Sequence, residues 1–196
     1  MKAGGIAVAT MPLLRAKELK QIVVKAKIRH ALCDTHLSAE LKLAAAELPE
    51  LQHIRLFNDT TESGLEAAMA KQVASFSNVD TARDDTCILA FTSGTTGQPK
   101  ATMHFHRDVM AACVCWPKYV LRPAADDIFM GTPPLAFTFG LGGLLLFPLS
   151  VGASTVLLEK GAPQDLIDAA LKYKATILFT APTSYRAIAA NAEQLR

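Results

Sequence analysis

Nine residues, Thr92-Ser93-Gly94-Thr95-Thr96-Gly97-Gln98-Pro99-Lys100, concentrate hydroxyls, two glycines and one terminal amine in a short stretch. Gly94 and Gly97 permit backbone angles that gather successive N–H groups into a concavity, and they let an anion approach the main chain closely. Thr92, Ser93, Thr95 and Thr96 add hydroxyl donors, while Lys100 adds a flexible point charge. Pro99 fixes one backbone angle just before it. A polyphosphate suits this set of donors. The competing reading is a flexible Ser/Thr/Gly linker. Against it, the stretch follows directly on Cys87-Ile-Leu-Ala-Phe91, an apolar run that predicts a buried strand. A Walker A loop needs four residues between its glycines and then Lys-Ser/Thr. Here two residues separate Gly94 from Gly97, and Ala101 follows Lys100. The dinucleotide Gly-x-Gly-x-x-Gly pattern is not met either.

Such a loop needs a rigid frame, and the flanking sequence predicts alternating strands and helices. Before the loop, Ile6 to Ala9 reads as a short strand and Leu14 to Ile28 as a helix with Leu19, Ile22, Val23 and Ala26 at helical spacing. Ala31 to Cys33 is a strand candidate, and Ser38 is placed to cap a helix ending near Leu48. His53 to Phe57 is a further strand, and Ser63-Gly-Leu-Glu66 reads as a capping box for a helix to about Val73. Residues 75–85 form a polar connection. After the loop come strand 101–105, helix 108–119, strand 127–131, a buried helix over 140–149 and strand 154–158. Pro163 opens a helix to Lys172, strand 176–180 follows, and Thr183 is placed to cap a last helix. This alternation is the mark of an α/β sheet.

Pro133-Pro-Leu-Ala-Phe137-Thr138-Phe139-Gly140-Leu-Gly142 is the second informative stretch. A strand ending in a Pro-Pro turn, followed by aromatics and then by glycines that open a helix, can build an apolar wall beside a polar loop. Phe137 and Phe139 could equally be ordinary core residues. Thr180-Ala181-Pro182-Thr183 falls at the C-terminal end of a strand, where open α/β sheets bind ligands, although a plain strand-to-helix turn explains it as well. His104 and His106 share one face of a strand, but two imidazoles without a third ligand do not make a metal site. Cys113 and Cys115 read as small apolar residues of a helix, and Asp126-Asp127 as a solvated strand entry.

The totals narrow the class. At 196 residues, 51% apolar and 19% charged, the chain suits a soluble α/β protein with a real core. A formal charge of +2 gives no reason to expect nucleic acid or an acidic membrane. Four cysteines without framework spacing fit a reduced, cytoplasmic setting. Gly131 to Leu158 carries no charge over a length that could span a bilayer, but Pro133, Pro134 and Pro148, with Gly140, Gly142, Gly143 and Gly152, argue for a turn, a buried helix and a strand instead.

Phe91-Thr-Ser-Gly-Thr-Thr-Gly-Gln-Pro-Lys100 resembles the signature phosphate loop of the AMP-forming acyl-adenylate enzymes: acyl- and aryl-CoA ligases, peptide-synthetase adenylation domains and luciferases. His106-Arg107-Asp108 is similar to the His-Arg-Asn that often follows, and Ala101 stands where Gly is usual. The resemblance implies that residues 1–196 form part of the large N-terminal domain of an acyl-CoA synthetase-like fold, with 1–85 a leading βα segment and 86–196 the phosphate-loop and acid-pocket segment. It implies that Thr92, Ser93, Gly94, Thr95, Thr96, Gly97 and Lys100 hold the β- and γ-phosphates of ATP. Phe137, Thr138, Phe139, Gly140, Ala181 and Pro182 would border the carboxylic acid. Many members place a His where Phe137 stands; Phe137 with Gly140-Leu-Gly looks closer to benzoate and 2-aminobenzoate CoA ligases, and an aromatic wall suits a flat ring. The implied partners are the acid, ATP, Mg2+ and CoA, with a homo-oligomer as a further expectation.

No catalytic residue and no metal ligand is expected within the chain. The family's Tyr-Gly-x-Thr-Glu motif, ribose-binding Asp, interdomain hinge and small C-terminal domain with its Lys have no counterpart here. The expectation is therefore a fragment that does not complete adenylation alone. The alternative is a truncated, non-catalytic phosphate-binding or oligomerising module.

Overall fold

Leu19, Ile22 and Val23, spaced to share one helical face, turn inward on α1 (Ala16–Ala26), where Ile22 and Val23 are buried. The helix begins where the Glu18 carboxylate accepts the Arg15 N–H at 3.1 Å, and ends at Lys27 in the left-handed region, φ 53°. The computed structural model describes residues 1–92 and 99–191. They divide into two units, one of residues 1–81 and 87–103, the other of 82–86 and 104–196.

In the first unit β1 (His30–Asp34) pairs in parallel with β2 (His53–Phe57), His30 opposite His53 and Asp34 opposite Phe57. The crossover carries α2 (Ser38–Ala45). Val23, Leu41, Ala44, Leu48 and Leu51 form the core, with Leu19, Ala31, Cys33 and Ile54 packed against it. Ser38 proves to be the first residue of α2 and not its cap. The preceding turn, Thr35–Leu37, is started by Asp34, whose carboxylate accepts the His36 N–H at 2.8 Å. The capping box at Ser63 does not form either. Gly64 takes the cap position of α3 (Leu65–Ala70), and Glu66 turns away to accept the Asn58 N–H at 2.8 Å. Asn58 needs that partner because it turns the chain in the left-handed region, φ 55°. The expected strand at Ile6–Ala9 reduces to a single parallel bridge, Ala7 to Ile88. Ile88 belongs to β3 (Thr86–Thr92), which pairs with β4 (Lys100–Phe105).

The second unit is built on a three-stranded parallel sheet of β5 (Ile128–Gly131), β6 (Ser154–Leu157) and β7 (Ile177–Phe179), in the order β6-β5-β7. Successive residues of central β5 face opposite ways. Phe129 enters a core with Leu144 and Phe179, and Met130 enters another with Leu166 and Ala169. Both faces are covered, as a parallel strand requires. Leu166 and Ala169 come from α7 (Pro163–Tyr173), which starts at Pro163 as its sequence predicts.

Two helices depart from their expected form. The helix expected over 108–119 is α4 (His106–Val114) followed by a widened turn, Pro117–Leu121, closed by the Arg122 N–H on the Pro117 carbonyl at 2.6 Å. The buried helix expected over 140–149 extends from α5 (Thr138–Leu141) through a widened turn, Gly142–Leu146, into α6 (Phe147–Val151). That second widening ends just before Pro148, which has no N–H to continue the ordinary ladder. The last helix, α8 (Pro182–Ala190), is opened by Pro182 with Ala181 at the cap position, so Thr183 lies inside it. Among the described residues no helix is long and apolar enough to cross a membrane.

Asp127 ties two strands of this sheet together at their N-terminal ends. Its carboxylate accepts the Ala124 N–H and the Thr176 hydroxyl, each at 2.7 Å, and the Thr176 oxygen in turn accepts the Ile128 N–H at 3.0 Å. These bonds, the Ala124 amide foremost, hold the Asp127 carboxyl below its ordinary value of 3.8. A depressed folded-state value stabilises the fold above 3.8, and that contribution disappears as pH falls through the folded value. Asp127→Asn should lower the thermal midpoint at about pH 7 and flatten its decline below about pH 4. Unfolding curves across that range check this, and parallel acid limbs in the two proteins would refute it.

Candidate functional site

The stretch expected to hold phosphate has its two ends on paired strands. Thr92 is the last residue of β3 and Lys100 the first of β4, and both side chains are exposed. Thr102 joins the strands further along through its hydroxyl, which donates to the Ala90 carbonyl at 3.3 Å. Pro99 is held from outside the hairpin by Lys25, whose ammonium donates to the Pro99 carbonyl at 2.8 Å. Ser93, Gly94, Thr95, Thr96 and Gly97 lie outside the described residues.

The His106-Arg107-Asp108 stretch fixes a helix start. Asp108 accepts the Phe105 N–H at 2.9 Å, a first-turn role that the more usual Asn could also fill. The N–H groups of His106 and Arg107 donate to the carbonyls of Asp85 and Arg83, at 3.2 and 3.0 Å. Arg107 then pairs with Asp84 at 2.6 Å and lies 5.2 Å from the Phe105 ring centroid. Its charge is spent on holding the 83–85 segment against α4.

The aromatic segment lies at the C-terminal ends of β5 and β7, the end at which open parallel sheets take ligands. Beyond β5, the Thr132 N–H donates to the Phe179 carbonyl at 3.0 Å. The Thr132 hydroxyl meets that of Thr180, 4% exposed, at 2.7 Å. Pro133 and Pro134 then turn the chain into α5. Gly140 makes this turn possible: a Cβ there would stand 2.2 Å from the Pro134 carbonyl oxygen and 2.5 Å from that of Pro133. Phe137, at the cap position of α5, is 47% exposed and Phe139 is 51% exposed. Neither is the ordinary core residue that composition alone would allow. Thr138, Ala181 and Pro182 are exposed as well.

Phe179 joins these parts, and its importance is invisible in the sequence, where it is one apolar residue in a short strand. Its ring meets Phe139 edge-on, centroids 5.8 Å apart, stacks on Phe129 at 6.2 Å, and touches Trp116 and Phe147 at 6.3 Å each. Two positions further on, the chain reaches Ala181 and Pro182. Phe139 thus meets Phe179 just ahead of the 181–182 turn, whereas Thr92 and Lys100 belong to the other unit.

The remaining candidates resolve as structural. Cys113 is buried, its thiol 3.6 Å from the Leu146 carbonyl and pushed up by burial, while Cys115 is exposed. Both carboxylate oxygens of Asp127 are taken by protein donors. Among the described residues no group of three His, Cys, Asp or Glu is placed to hold a metal ion.

A family profile described as AMP-binding enzyme matches residues 1–196. The benzoate–CoA ligase of Thauera aromatica is 28% identical over 192 residues, which cover 97% of this chain and 36% of that protein. The anthranilate–CoA ligase of Pseudomonas aeruginosa is 31% identical over 110 residues, covering 56% and 21%. Among solved structures, an anthranilate CoA ligase in complex with anthranoyl-AMP superposes with a TM-score of 0.85 at 32% identity, covering 94% of this chain and 36% of the other. The chain therefore spans about a third of the length of the relatives it matches, and its α/β fold is that of acyl-CoA synthetase structures.

Gly140→Ala tests the turn that carries the aromatic segment. The added methyl meets two backbone carbonyls that cannot swing aside as a side chain would, so a loss of about 1–3 kcal/mol in denaturant unfolding is expected. An unchanged midpoint would mean that the turn is not packed as described.

Proposed function

Because this chain belongs to the family of AMP-binding enzymes, we propose that it supplies the phosphate loop and part of the acid pocket for ATP-dependent activation of an aromatic carboxylic acid, of benzoate or 2-aminobenzoate type. The acid's carboxylate oxygen attacks the α-phosphorus of ATP. The bond to the β-phosphate oxygen breaks, pyrophosphate leaves, and an acyl-adenylate remains. The thiol of CoA then attacks the acyl carbon and displaces AMP, giving the thioester. Such chemistry depends chiefly on positioning and on meeting developing charge.

The residues divide this work by their chemistry. Lys100, with Thr92, Ser93, Thr95 and Thr96 and the amides around Gly94 and Gly97, holds the β- and γ-phosphates and draws charge toward the departing pyrophosphate. Phe137 and Phe139 offer ring faces to a flat acid, and Thr138, Gly140, Ala181 and Pro182 border it. Magnesium, when bound with ATP, would offset the negative charge of the phosphates beside the Lys100 ammonium. Four cysteines without framework spacing fit a reduced, cytoplasmic setting.

One observation carries the aromatic preference: two large rings, about half exposed, stand at the ligand-binding end of a parallel sheet. Calorimetric titration of the chain tests both halves. Lys100→Ala should weaken pyrophosphate binding about tenfold, the worth of one charge-assisted contact, and leave benzoate unaffected. Phe137→Ala should weaken benzoate and leave pyrophosphate unaffected. Acetate, which has no ring, should bind more weakly than benzoate. Equal affinity for acetate and benzoate, or pyrophosphate binding indifferent to Lys100, would defeat the proposal.

A further inference from the structure

We propose that Phe179 is a positioning residue for the acid pocket: it holds the Phe139 ring in place, and through that ring sets the preference for a flat aromatic acid. The inference rests on the reading of Phe139 as part of the acid-binding wall, and it adds a residue that itself lies beneath that wall, 9% exposed. Phe139 is half exposed, so solvent would leave its ring free to turn unless something held one edge. Among the described residues Phe179 is its ring partner, in an edge-to-face contact at 5.8 Å with an interplanar angle of 72°. An edge-to-face pair fixes orientation as well as contact, since the positive ring edge must address the negative ring face.

Phe179 can impose that orientation because it is itself held from several directions. Phe129 stacks on it with an interplanar angle of 7°, and Trp116 and Phe147 close further sides. Its backbone carbonyl accepts the Thr132 N–H. Two glycines make room for it. A Cβ at Gly131 would come 2.1 Å from the Phe179 carbonyl oxygen, and one at Gly143 would come 2.8 Å from its ring. Three chain segments, at Trp116, at 129–132 and over the helical stretch of 138–151, thus converge on Phe179, whose half-exposed Phe neighbour among the described residues is Phe139. That arrangement exceeds what filling a core requires: a Leu could occupy the volume, but it could not orient a second ring.

The test separates positioning from bulk stability. The chain is labelled with 4-fluorophenylalanine, and the Phe139 resonance is identified by its loss from Phe139→Leu. In Phe179→Leu, and in Phe179→Met as a second variant should Leu fold poorly, the Phe139 line should shift and sharpen as the ring is released. In Phe147→Leu, which removes only one of the rings that hold Phe179 and leaves the Phe139–Phe179 pair in place, that line should move far less than in Phe179→Leu although stability falls. Benzoate affinity should drop about threefold to tenfold in Phe179→Leu, the worth of one aromatic pair, and stay within about twofold in Phe147→Leu. Pyrophosphate affinity should hold in all variants. If the Phe139 line stays fixed in Phe179→Leu, or moves equally in Phe147→Leu, the inference is wrong. If benzoate binds the unsubstituted chain and Phe179→Leu equally well, the inference fails and the acid-pocket reading stands. Should benzoate not bind the unsubstituted chain at all, the acid-pocket reading fails and the link to acid preference fails with it, while the fluorine line still decides whether Phe179 holds Phe139.

Discussion

A carbonyl oxygen and an aromatic ring, both of Phe179, press against positions where only hydrogen fits, at Gly131 and Gly143. Much of the second unit depends on that close packing. It draws the helical stretch of 138–151 down onto the sheet and seats Phe129 and Leu144 in one apolar layer. It also fixes where the chain leaves β5 for the Pro-Pro turn. A side chain at either glycine would separate surfaces that now exclude water, and packed interiors rarely absorb such volume without moving backbone.

The sheet explains why the aromatic segment stands where it does. A parallel strand buried on both faces has no side-chain position left for chemistry, because Phe129 and Met130 are both spent on packing. Polar and half-exposed groups can appear only past its end. Thr132, Phe137 and Phe139 follow β5 in that way, and Thr180, Ala181 and Pro182 follow β7. At the opposite end of the sheet Asp127 and Thr176 spend their polar atoms on each other and on main chain, so that end is stitched shut. In the first unit the same logic applies to the phosphate loop, which departs from the end of β3.

Local signals were readable where local chemistry decides the outcome. His53–Phe57 and the start at Pro163 stand where apolar patterning and the missing N–H of proline put them. The stretch 92–100 stands out as a motif because its glycines, hydroxyls and Lys100 are the residue types that suit an anion. Ser63 misled because Glu66 had a rival donor, the Asn58 N–H, which the chain brings near only after Asn58 turns left-handed. The widened turns at 117–121 and 142–146 are hidden because Pro-Lys-Tyr-Val-Leu and Gly-Gly-Leu-Leu-Leu carry no apolar period that an extra residue would visibly break. Phe137 and Phe139 stand out in the sequence, and their exposure shows that neither is a core residue. Phe179 could not be found in this way at all. Its partners are 32 to 63 residues distant along the chain, counting from Phe147 back to Trp116, and only folding collects them.

The placement of the aromatic residues also governs what light can report. The chain's one tryptophan and its three tyrosines, Trp116, Tyr119, Tyr173 and Tyr185, all belong to the second unit, and the first unit holds no ring larger than phenylalanine or histidine. Tryptophan and tyrosine emission therefore follows the melting of the second unit alone, whereas amide absorbance samples both. Any difference between the two signals on heating is a direct reading of whether the halves come apart together.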